Sequence, residues 1–326
     1  MITELPCQTN AQGDTRRVGV EIEMSGIGLH RLAEVSAGVL GLRCDQSSRY
    51  QYHLKGDPAG DWVAEVDFRI LKEMGEQSYR EGDWEDEVRH GLETMLQRVS
   101  EPFVPLELVG PPIPLHRLPL FDGLTDALRH AGATGSSANL WNAFGLQFNP
   151  EVPSEDAGVI VRYLKAFFCL FDWLIERANV DLARRLSPFT DPFPSKYVRK
   201  VLASGYVPNQ AQLIDDYLLD NPTRNRALDM LPLFTHLDEA RVRAVIDDPL
   251  VKPRPTFHYR LPNSEIHEPG WGIGSAWDDW CQVERLACAP ERLAACCKAY
   301  SHLLERPWEK WTQDWAKRVE DKWLVQ

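Results

Sequence analysis

The sequence lacks the cysteine spacing that marks zinc sites and disulfide-rich domains. Its seven cysteines are an odd number, and no two of them have the C-x-x-C spacing of a structural zinc site. They are also scattered rather than placed at the regular intervals of a disulfide framework. We therefore expect reduced thiols in or near the core, as in a cytoplasmic protein.

Positive charge is also scarce. The 36 Lys and Arg residues are outnumbered by 48 Asp and Glu residues, which gives a net charge of −12. A general nucleic-acid binder needs a broad basic surface to neutralise phosphates, so we expect that this protein does not belong to that class. A local basic pocket for one anionic ligand stays compatible with the composition.

Long apolar runs are missing too. The most apolar segment, residues 158–175, is interrupted by Arg162, Lys165 and Asp172, which predicts a buried helix rather than a membrane span. The first residues show no basic start followed by an apolar run, so we expect no signal peptide. Together these features predict a cytoplasmic protein with no membrane partner and no nucleic-acid partner.

Common phosphate-binding and hydrolase motifs do not occur. There is no G-x-x-x-x-G-K-[ST], no G-x-S-x-G and no H-E-x-x-H, and the glycine-rich stretch at 270–277 has neither a P-loop lysine nor a G-x-G-x-x-G pattern. If the protein uses a nucleotide, we expect it on an open sheet face rather than at a helix N-terminus.

What the chain does have is a strand that carries two carboxylates. In RRVGVEIEMSG, residues 16–26, a period of two sends Val18, Val20, Ile22 and Met24 to one face and Arg17, Gly19, Glu21 and Glu23 to the other. Two like charges on one strand face repel each other and need a partner if partly buried. Solvent, a basic side chain or a divalent cation could be that partner.

The same alternation recurs in later strands. A hairpin over residues 50–71, a strand near 102–114, one near 144–149 and one near 254–261 each set polar side chains against an apolar face. The predicted polar face comprises Glu21, Glu23, Glu65, Asp67, Glu107, Gln147, Asn149, Arg254 and Arg260.

Over most of the remaining chain, apolar residues recur at helical spacing. We predict helices at 29–40, 82–99, 119–131, 154–179, 209–219, 238–246 and from about 276 onwards. The fold class is then α+β, a mainly antiparallel sheet backed by helices on one face. We expect an N-terminal tail at 1–15 and a single domain at 16–326, with a helical insertion at about 154–250 and C-terminal helices at about 276–326.

Such a polar face suits a metal and a phosphate. Mg²⁺ is usually held by one or two carboxylates together with phosphate oxygens, and the planar arginine fork binds phosphate or carboxylate through two hydrogen bonds. A ligand made of Mg²⁺ and a polyphosphate would match this face, because the acidic strands could bind the cation and the one basic strand could bind the phosphates. From these residues alone, a solvated sheet face and ordinary surface ion pairs stay open as alternatives.

A series of motifs resembles a known family. VGVEIEMSG, KGDPAGDWVAEVD, ELVGPPI, GLQFNPEV, NPTRNRALDMLPLF and RPTFHYRLPN are similar, in this order, to the motifs of the putative amidoligase family. The resemblance runs from about Arg16 to Trp277. It implies a catalytic domain like that of glutamine synthetase and of glutamate–cysteine ligase.

The resemblance also implies a reaction. ATP with Mg²⁺, or with Mn²⁺, would phosphorylate a substrate carboxylate, and an amine would then displace phosphate to form an amide or isopeptide bond. The partners would be a small-molecule or peptide carboxylate and an amine. The identity of both substrates and the oligomeric state cannot be read from the sequence.

The resemblance assigns roles to individual residues. Glu21, Glu23, Glu65, Glu107 and Arg260 match catalytic positions, and Glu21, Glu23 and Glu107 among them match metal ligands. Arg260 resembles the late-strand arginine of glutamine synthetases that contacts phosphate or substrate. Further contacts with the nucleotide or substrate are expected from Lys55, Arg224, Arg226, Arg254, Gln147, Asn149 and His258.

Two positions depart from the family pattern. His258 stands where glutamine synthetases have a metal-binding glutamate, and Gln147 replaces the histidine of the related GLH motif. Imidazole suits Mn²⁺ or Zn²⁺ better than Mg²⁺, and a neutral amide is a poor ligand, so one metal site is expected to be weakened. A catalytically impaired binding protein therefore stays open as an alternative, and so does a metal-dependent hydrolase that uses the acidic side chains to activate water. Lys196, Arg199 and Lys200 belong either to a lid or anion site or to an exposed basic helix.

Overall fold

The structure is a computed structural model that describes residues 3–67, 104–136, 144–178, 192–306 and 314–325. The helix predicted at 82–99 lies outside the described residues. The chain divides into two compact units. The helical unit comprises Met1–Arg17, Phe148–Pro262 and Gly274–Gln326, and the sheet unit comprises Val18–Gln147 and Asn263–Ile273.

The described residues form a mixed α and β fold with a mainly antiparallel open sheet. The strands are β1 (Arg17–Met24), β2 (Arg43–Ser48), β3 (Gln51–Lys55), β4 (Trp62–Val66), β5 (Leu106–Val109), β6 (Ile113–Pro114), β7 (Leu146–Pro150), β8 (Leu228–Asp229) and β9 (His258–Tyr259). The helices are α1 (Leu29–Leu40), α2 (Leu120–His130), α3 (Ala157–Arg177), α4 (Ser195–Leu202), α5 (Gln210–Asp220), α6 (Leu231–Leu237), α7 (Glu239–Arg243), α8 (Gly274–Ala287), α9 (Pro290–Glu305) and α10 (Trp315–Lys322).

In the sheet unit, neighbouring strands follow the order β2-β3-β4-β5-β1 and pair antiparallel. The backbone N–H of Glu23 donates to the carbonyl of Gly145, which places the start of β7 beside β1. Apolar residues of alternating positions, such as Ile22, Ala64 and Leu108, are fully buried on one face. The period-two prediction for these strands is therefore confirmed. Strand β2 was not predicted, because RCDQSS is polar and exposed throughout.

Helix α1 packs on strands β3 and β4 and on α2. It forms because Leu29, Leu32 and Ala33 recur at helical spacing and bury one face of the helix. It ends at Gly41, whose φ of 69° is left-handed, a conformation that glycine adopts without steric cost.

The turn between β3 and β4 is held by Asp57. Its carboxylate accepts two hydrogen bonds of 2.7 Å from Arg117, one from the Trp62 indole and one from the Ala59 backbone N–H. These donors, Arg117 first among them, hold the pKa of Asp57 well below its ordinary value, because each favours the charged carboxylate.

In the helical unit, Phe148 of β7 pairs with Tyr259 of β9, and Tyr259 pairs with Leu228 of β8. The long strand predicted over 254–261 is therefore mostly wrong, since only His258 and Tyr259 form a strand there. Pro255, inside that segment, lacks the N–H that strand pairing needs, and Pro253 and Pro262 flank it, so the segment is poorly suited to a long strand.

Helix α3 is the buried helix that the sequence predicts. Asp156 caps its first turn by accepting a hydrogen bond from the Val159 N–H, and α8, α9 and α10 pack against it. Tyr163 of α3 stacks on Phe257, with ring centroids 4.7 Å apart. Among the described residues, no helix has the length and apolar character needed to cross a membrane.

A buried ion pair joins the start of the chain to α8. Arg16 donates two hydrogen bonds of 2.7 Å to the carboxylate of Glu284, and both side chains are fully buried. Tyr163 and Trp280 also donate to Glu284, and Arg16 donates to the carbonyls of Cys7 and Glu151. Both charges are thus compensated by ionic contacts and by hydrogen bonds.

Candidate functional site

Three glutamates lie side by side across the sheet unit. The strand register places Glu107 of β5 directly opposite Glu23 of β1 and directly opposite Glu65 of β4. Side chains of residues paired in this way have Cβ atoms about 4.5–5.5 Å apart. We call Glu23, Glu107 and Glu65 the acidic row. Three predicted site residues are therefore brought together by the register.

The side chains next to the acidic row are polar. Gln51 of β3 lies opposite Glu65 and donates a hydrogen bond of 2.7 Å to its carboxylate. Glu21 lies two residues before Glu23, on the same face of β1, and is half-buried like Glu65 and Glu107. Asp67 follows β4 directly and is buried.

Glu23 is the most enclosed member of the acidic row. It is 3% exposed, and its two carboxylate oxygens accept hydrogen bonds of 2.6 Å from the Gln147 amide and from the Gly145 backbone N–H. These contacts fix the direction of the carboxylate. The sequence suggests Gln147 as a nucleotide or substrate contact, and the structure gives it a direct contact with Glu23.

The acidic row offers oxygen ligands of the kind that Mg²⁺ and Mn²⁺ prefer. In the described part of the chain, however, no group of three or more His, Cys, Asp or Glu side chains is arranged to hold a metal ion. A cage built from protein side chains alone is therefore not preformed there. Mg²⁺ commonly takes one or two carboxylates and completes its shell with water and phosphate oxygens.

Lys55 lies away from the acidic row. It is paired with Arg43 in the register, four residues along β3 from Gln51, which corresponds to about 13 Å of strand. Its ammonium group lies 2.8 Å from the carboxylate of Asp45, and this hydrogen bond raises the pKa of Lys55. The structure therefore does not bring Lys55 next to the acidic row.

The helical unit contains a second polar group. His258 of β9 lies directly opposite Asp229 of β8, with His258 Nδ1 3.4 Å from Asp229 Oδ2. Asp229 is 1% exposed and accepts a hydrogen bond from the Leu231 N–H. Burial raises the pKa of Asp229 to about 6, although Leu231 and the charges of Arg260, Arg254 and Arg224 act in the opposite direction.

The arginines predicted for anion binding lie in the helical unit with Asp229. Arg254 donates two hydrogen bonds, of 3.1 and 2.8 Å, to the side-chain oxygen of Asn149. Arg260 is buried and donates to the Arg224 carbonyl, and the Arg224 side chain pairs with Asp248. We call Arg224, Arg254, Arg260, His258 and Asp229 the basic cluster.

Asp229 was missed in the sequence. The available signal was a charged residue among apolar neighbours in RALDMLPLF, the same signal that singled out Glu107. Because β8 has only two residues, it is too short to show periodicity, so the sequence could not indicate toward which face of the sheet Asp229 points.

Other predicted cations have structural partners. Arg226 donates to the Asn221 side chain and to the Pro192 carbonyl, and its guanidinium lies 5.7 Å from the centroid of the Phe193 ring. On α4, Lys196 pairs with Asp220 and Lys200 pairs with Asp216, and Arg199 is exposed. These contacts favour the exposed basic helix over a lid.

The comparisons with known proteins give one family. A family model described as "Putative amidoligase enzyme" matches residues 14–282. No curated protein and no solved structure matches the chain.

Proposed function

This chain belongs to the putative amidoligase family, and we propose that it is a carboxylate–amine ligase that uses ATP and Mg²⁺. The family match supports an enzyme of the ligase class. The observation that carries the finer proposal is the acidic row, three carboxylates in register on neighbouring strands. We also propose that the sheet belongs to a catalytic domain like that of glutamine synthetase.

The residues that would hold Mg²⁺ are Glu107, Glu21 and Glu23. Their oxygen atoms suit a hard cation, and the half-buried Glu107 and Glu21 leave part of their surface accessible. Bound Mg²⁺ would offset the negative charge of the transferring phosphoryl group. Glu23 would keep its direction through Gln147 and Gly145, and Glu65 would extend the negative field on the other side of Glu107.

The basic cluster of the helical unit supplies candidate ligands for anionic groups. Arg254 and Arg260 can donate charge-assisted hydrogen bonds to a phosphate or a carboxylate. Asn149 holds the Arg254 guanidinium in place, and His258 is held beside Asp229. The substrates remain defined by class, as a small-molecule or peptide carboxylate and an amine.

Thermal unfolding tests the proposal. ATP with Mg²⁺ or Mn²⁺ is expected to raise the melting temperature, because a ligand that binds only the folded state adds about 2.7 kcal/mol at a hundredfold excess over Kd. Glu107→Gln is expected to remove the rise, since it deletes one charge of the acidic row. Glu34→Gln is the matched control, because Glu34 is exposed on α1 and pairs with Arg31, three residues earlier on the same helix. An equal rise in wild type and Glu107→Gln would contradict the proposal.

Turnover separates ligase from the alternatives. A ligase releases ADP in the presence of its acid and amine, and hydroxylamine can replace the amine in a panel of acids. One alternative is a binding protein that takes up nucleotide without releasing ADP. It is favoured by the hydrogen bonds from Gln147 and Gly145, because they engage both carboxylate oxygens of Glu23, which would otherwise serve a metal ion. Cleavage of amides or phosphoesters without ATP would instead indicate a metal-dependent hydrolase.

A further inference from the structure

Three cysteines meet where two helices of the helical unit pack together. Cys169 lies on α3, and Cys296 and Cys297 lie on α9. The sulfur atoms of Cys169 and Cys297 are 3.7 Å apart, and both thiols are free. A disulfide has an S–S distance of about 2.05 Å, so the two sulfurs must approach by less than 2 Å to form one.

We propose that Cys169 and Cys297 form a redox site that a hydroperoxide converts to a disulfide. This inference is independent of the ligase proposal, because it concerns side chains that lie in neither the acidic row nor the basic cluster. It rests on the short sulfur–sulfur distance and on the unequal surroundings of the two thiols.

The surroundings assign a role to each thiol. Cys297 is 6% exposed, and its pKa is lowered because the Cys169 thiol donates a hydrogen bond to it and the positive charge of Lys165 lies nearby. Cys169 is fully buried, and burial raises its pKa. Since the thiolate is the nucleophile, Cys297 is the thiol that attacks and Cys169 is the thiol that resolves.

The chemistry balances in two steps. The Cys297 thiolate attacks one peroxide oxygen, so an S–O bond forms, the O–O bond breaks, and the leaving hydroxide takes up a proton as water. The Cys169 sulfur then attacks the Cys297 sulfur, so the S–S bond forms, the S–O bond breaks, and a second water leaves with the Cys169 proton. Two thiols are oxidised by two electrons, and one hydrogen peroxide is reduced to two waters.

Two exposed cysteines, Cys44 and Cys288, can be compared with the buried Cys169–Cys297 pair in the same protein. Cys44 and Cys288 are accessible to solvent, but burial of part of their surface and neighbouring carboxylates raise the pKa of each thiol. If exposure alone decided reactivity, these two would be oxidised first. The proposal predicts that the Cys169–Cys297 pair is oxidised before them.

Peptide mapping of the full-length protein tests the site. Reduced protein is treated with hydrogen peroxide, blocked with N-ethylmaleimide, digested with trypsin and analysed without reduction. Cys169 falls in the tryptic peptide 166–177, whereas Cys296 and Cys297 share the peptide 293–298. A linked pair of these peptides is expected in wild type and in Cys296→Ala, and is expected to be absent in Cys297→Ala.

A second variant tests the electrostatic argument without altering a thiol. Lys165→Gln removes one tryptic site, so its link joins peptides 163–177 and 293–298, and this link is expected to form several-fold more slowly than in wild type. Lys298→Gln removes an exposed charge next to Cys297 in the sequence, so its link joins peptides 166–177 and 293–310, and its rate is expected to be unchanged. Circular dichroism checks that each variant is folded. Persistence of the link in Cys297→Ala, earlier oxidation of Cys44 or Cys288, or an unchanged rate in Lys165→Gln would overturn the proposal.

Discussion

At the scale of single residues, the Arg16–Glu284 pair makes the sharpest stability prediction. Glu284→Ala is expected to lower the free energy of unfolding by about 3–5 kcal/mol, because it leaves the buried Arg16 charge without its carboxylate. Urea denaturation measures this change. Glu34→Ala, which breaks the exposed pair with Arg31, is expected to have a far smaller effect, because solvent screens an exposed ion pair. A loss for Glu284→Ala as small as that of the control would contradict the argument.

Single residues also show where sequence reasoning stops. Glu23, Glu65 and Glu107 could be placed on the polar face because alternation along a strand is a local property. The contact between Arg16 and Glu284 joins residues 268 positions apart, and no local pattern encodes it. Lys55 was placed on a strand, but its distance from the acidic row depends on register, which the local pattern does not give.

At the scale of elements, two glycines of the sheet unit are expected to respond oppositely to alanine. A Cβ on Gly135 would lie 2.1 Å from the Ser264 carbonyl oxygen, so the segment at 263–273 would have to move. A Cβ on Gly38, in the interior of α1, meets no atom within 4 Å. Local spacing predicted α1 and α2 to within a residue, but such a close approach between segments is visible only in the fold.

Gly135→Ala is expected to lower the free energy of unfolding by about 1–3 kcal/mol, the usual cost of overpacking. Gly38→Ala is expected to raise it by about 0.5–1 kcal/mol, because alanine has the higher helix propensity. Urea denaturation of the two variants provides the comparison. Equal effects of the two substitutions would show that the close contact at Gly135 relaxes without cost.

At the scale of the whole molecule, the sequence predicted which strands and helices form better than it predicted which distant segments pair with each other. The antiparallel strands and most helices follow from periodicity, whereas β2, β8 and α6 lack a clear periodic signal because they are polar or short. The predicted late strand was too long, because the alternation of its residues took no account of Pro255 within it or of the prolines that flank it. The candidate site shows the same division, since alternation predicted which residues share the polar face, whereas strand register brings Glu23, Glu107 and Glu65 side by side.

Stability as a function of pH is a property of the whole molecule in which two aspartates act in opposite directions. Asp57 has a lowered pKa in the folded state, so its stabilisation is present above the unfolded value of about 3.9 and is lost as pH falls further. Asp229 has a folded pKa of about 6, so the folded state binds the extra proton between about pH 4 and 6. The contribution of Asp229 to the free energy of unfolding therefore falls as pH rises through that range, by about 3 kcal/mol in all.

Variants at these two positions separate the contributions. Asp229→Asn is expected to remove the decline between about pH 4 and 6, so its free energy of unfolding relative to wild type rises with pH across that range. Asp57→Asn is expected to cost about 1.5–3 kcal/mol at pH 7, because it weakens hydrogen bonds to a charged partner, and this cost is expected to shrink as pH falls below about 4. Urea denaturation from pH 3 to 8 measures both. A pH profile of Asp229→Asn parallel to that of wild type would show that folding does not raise the pKa of Asp229.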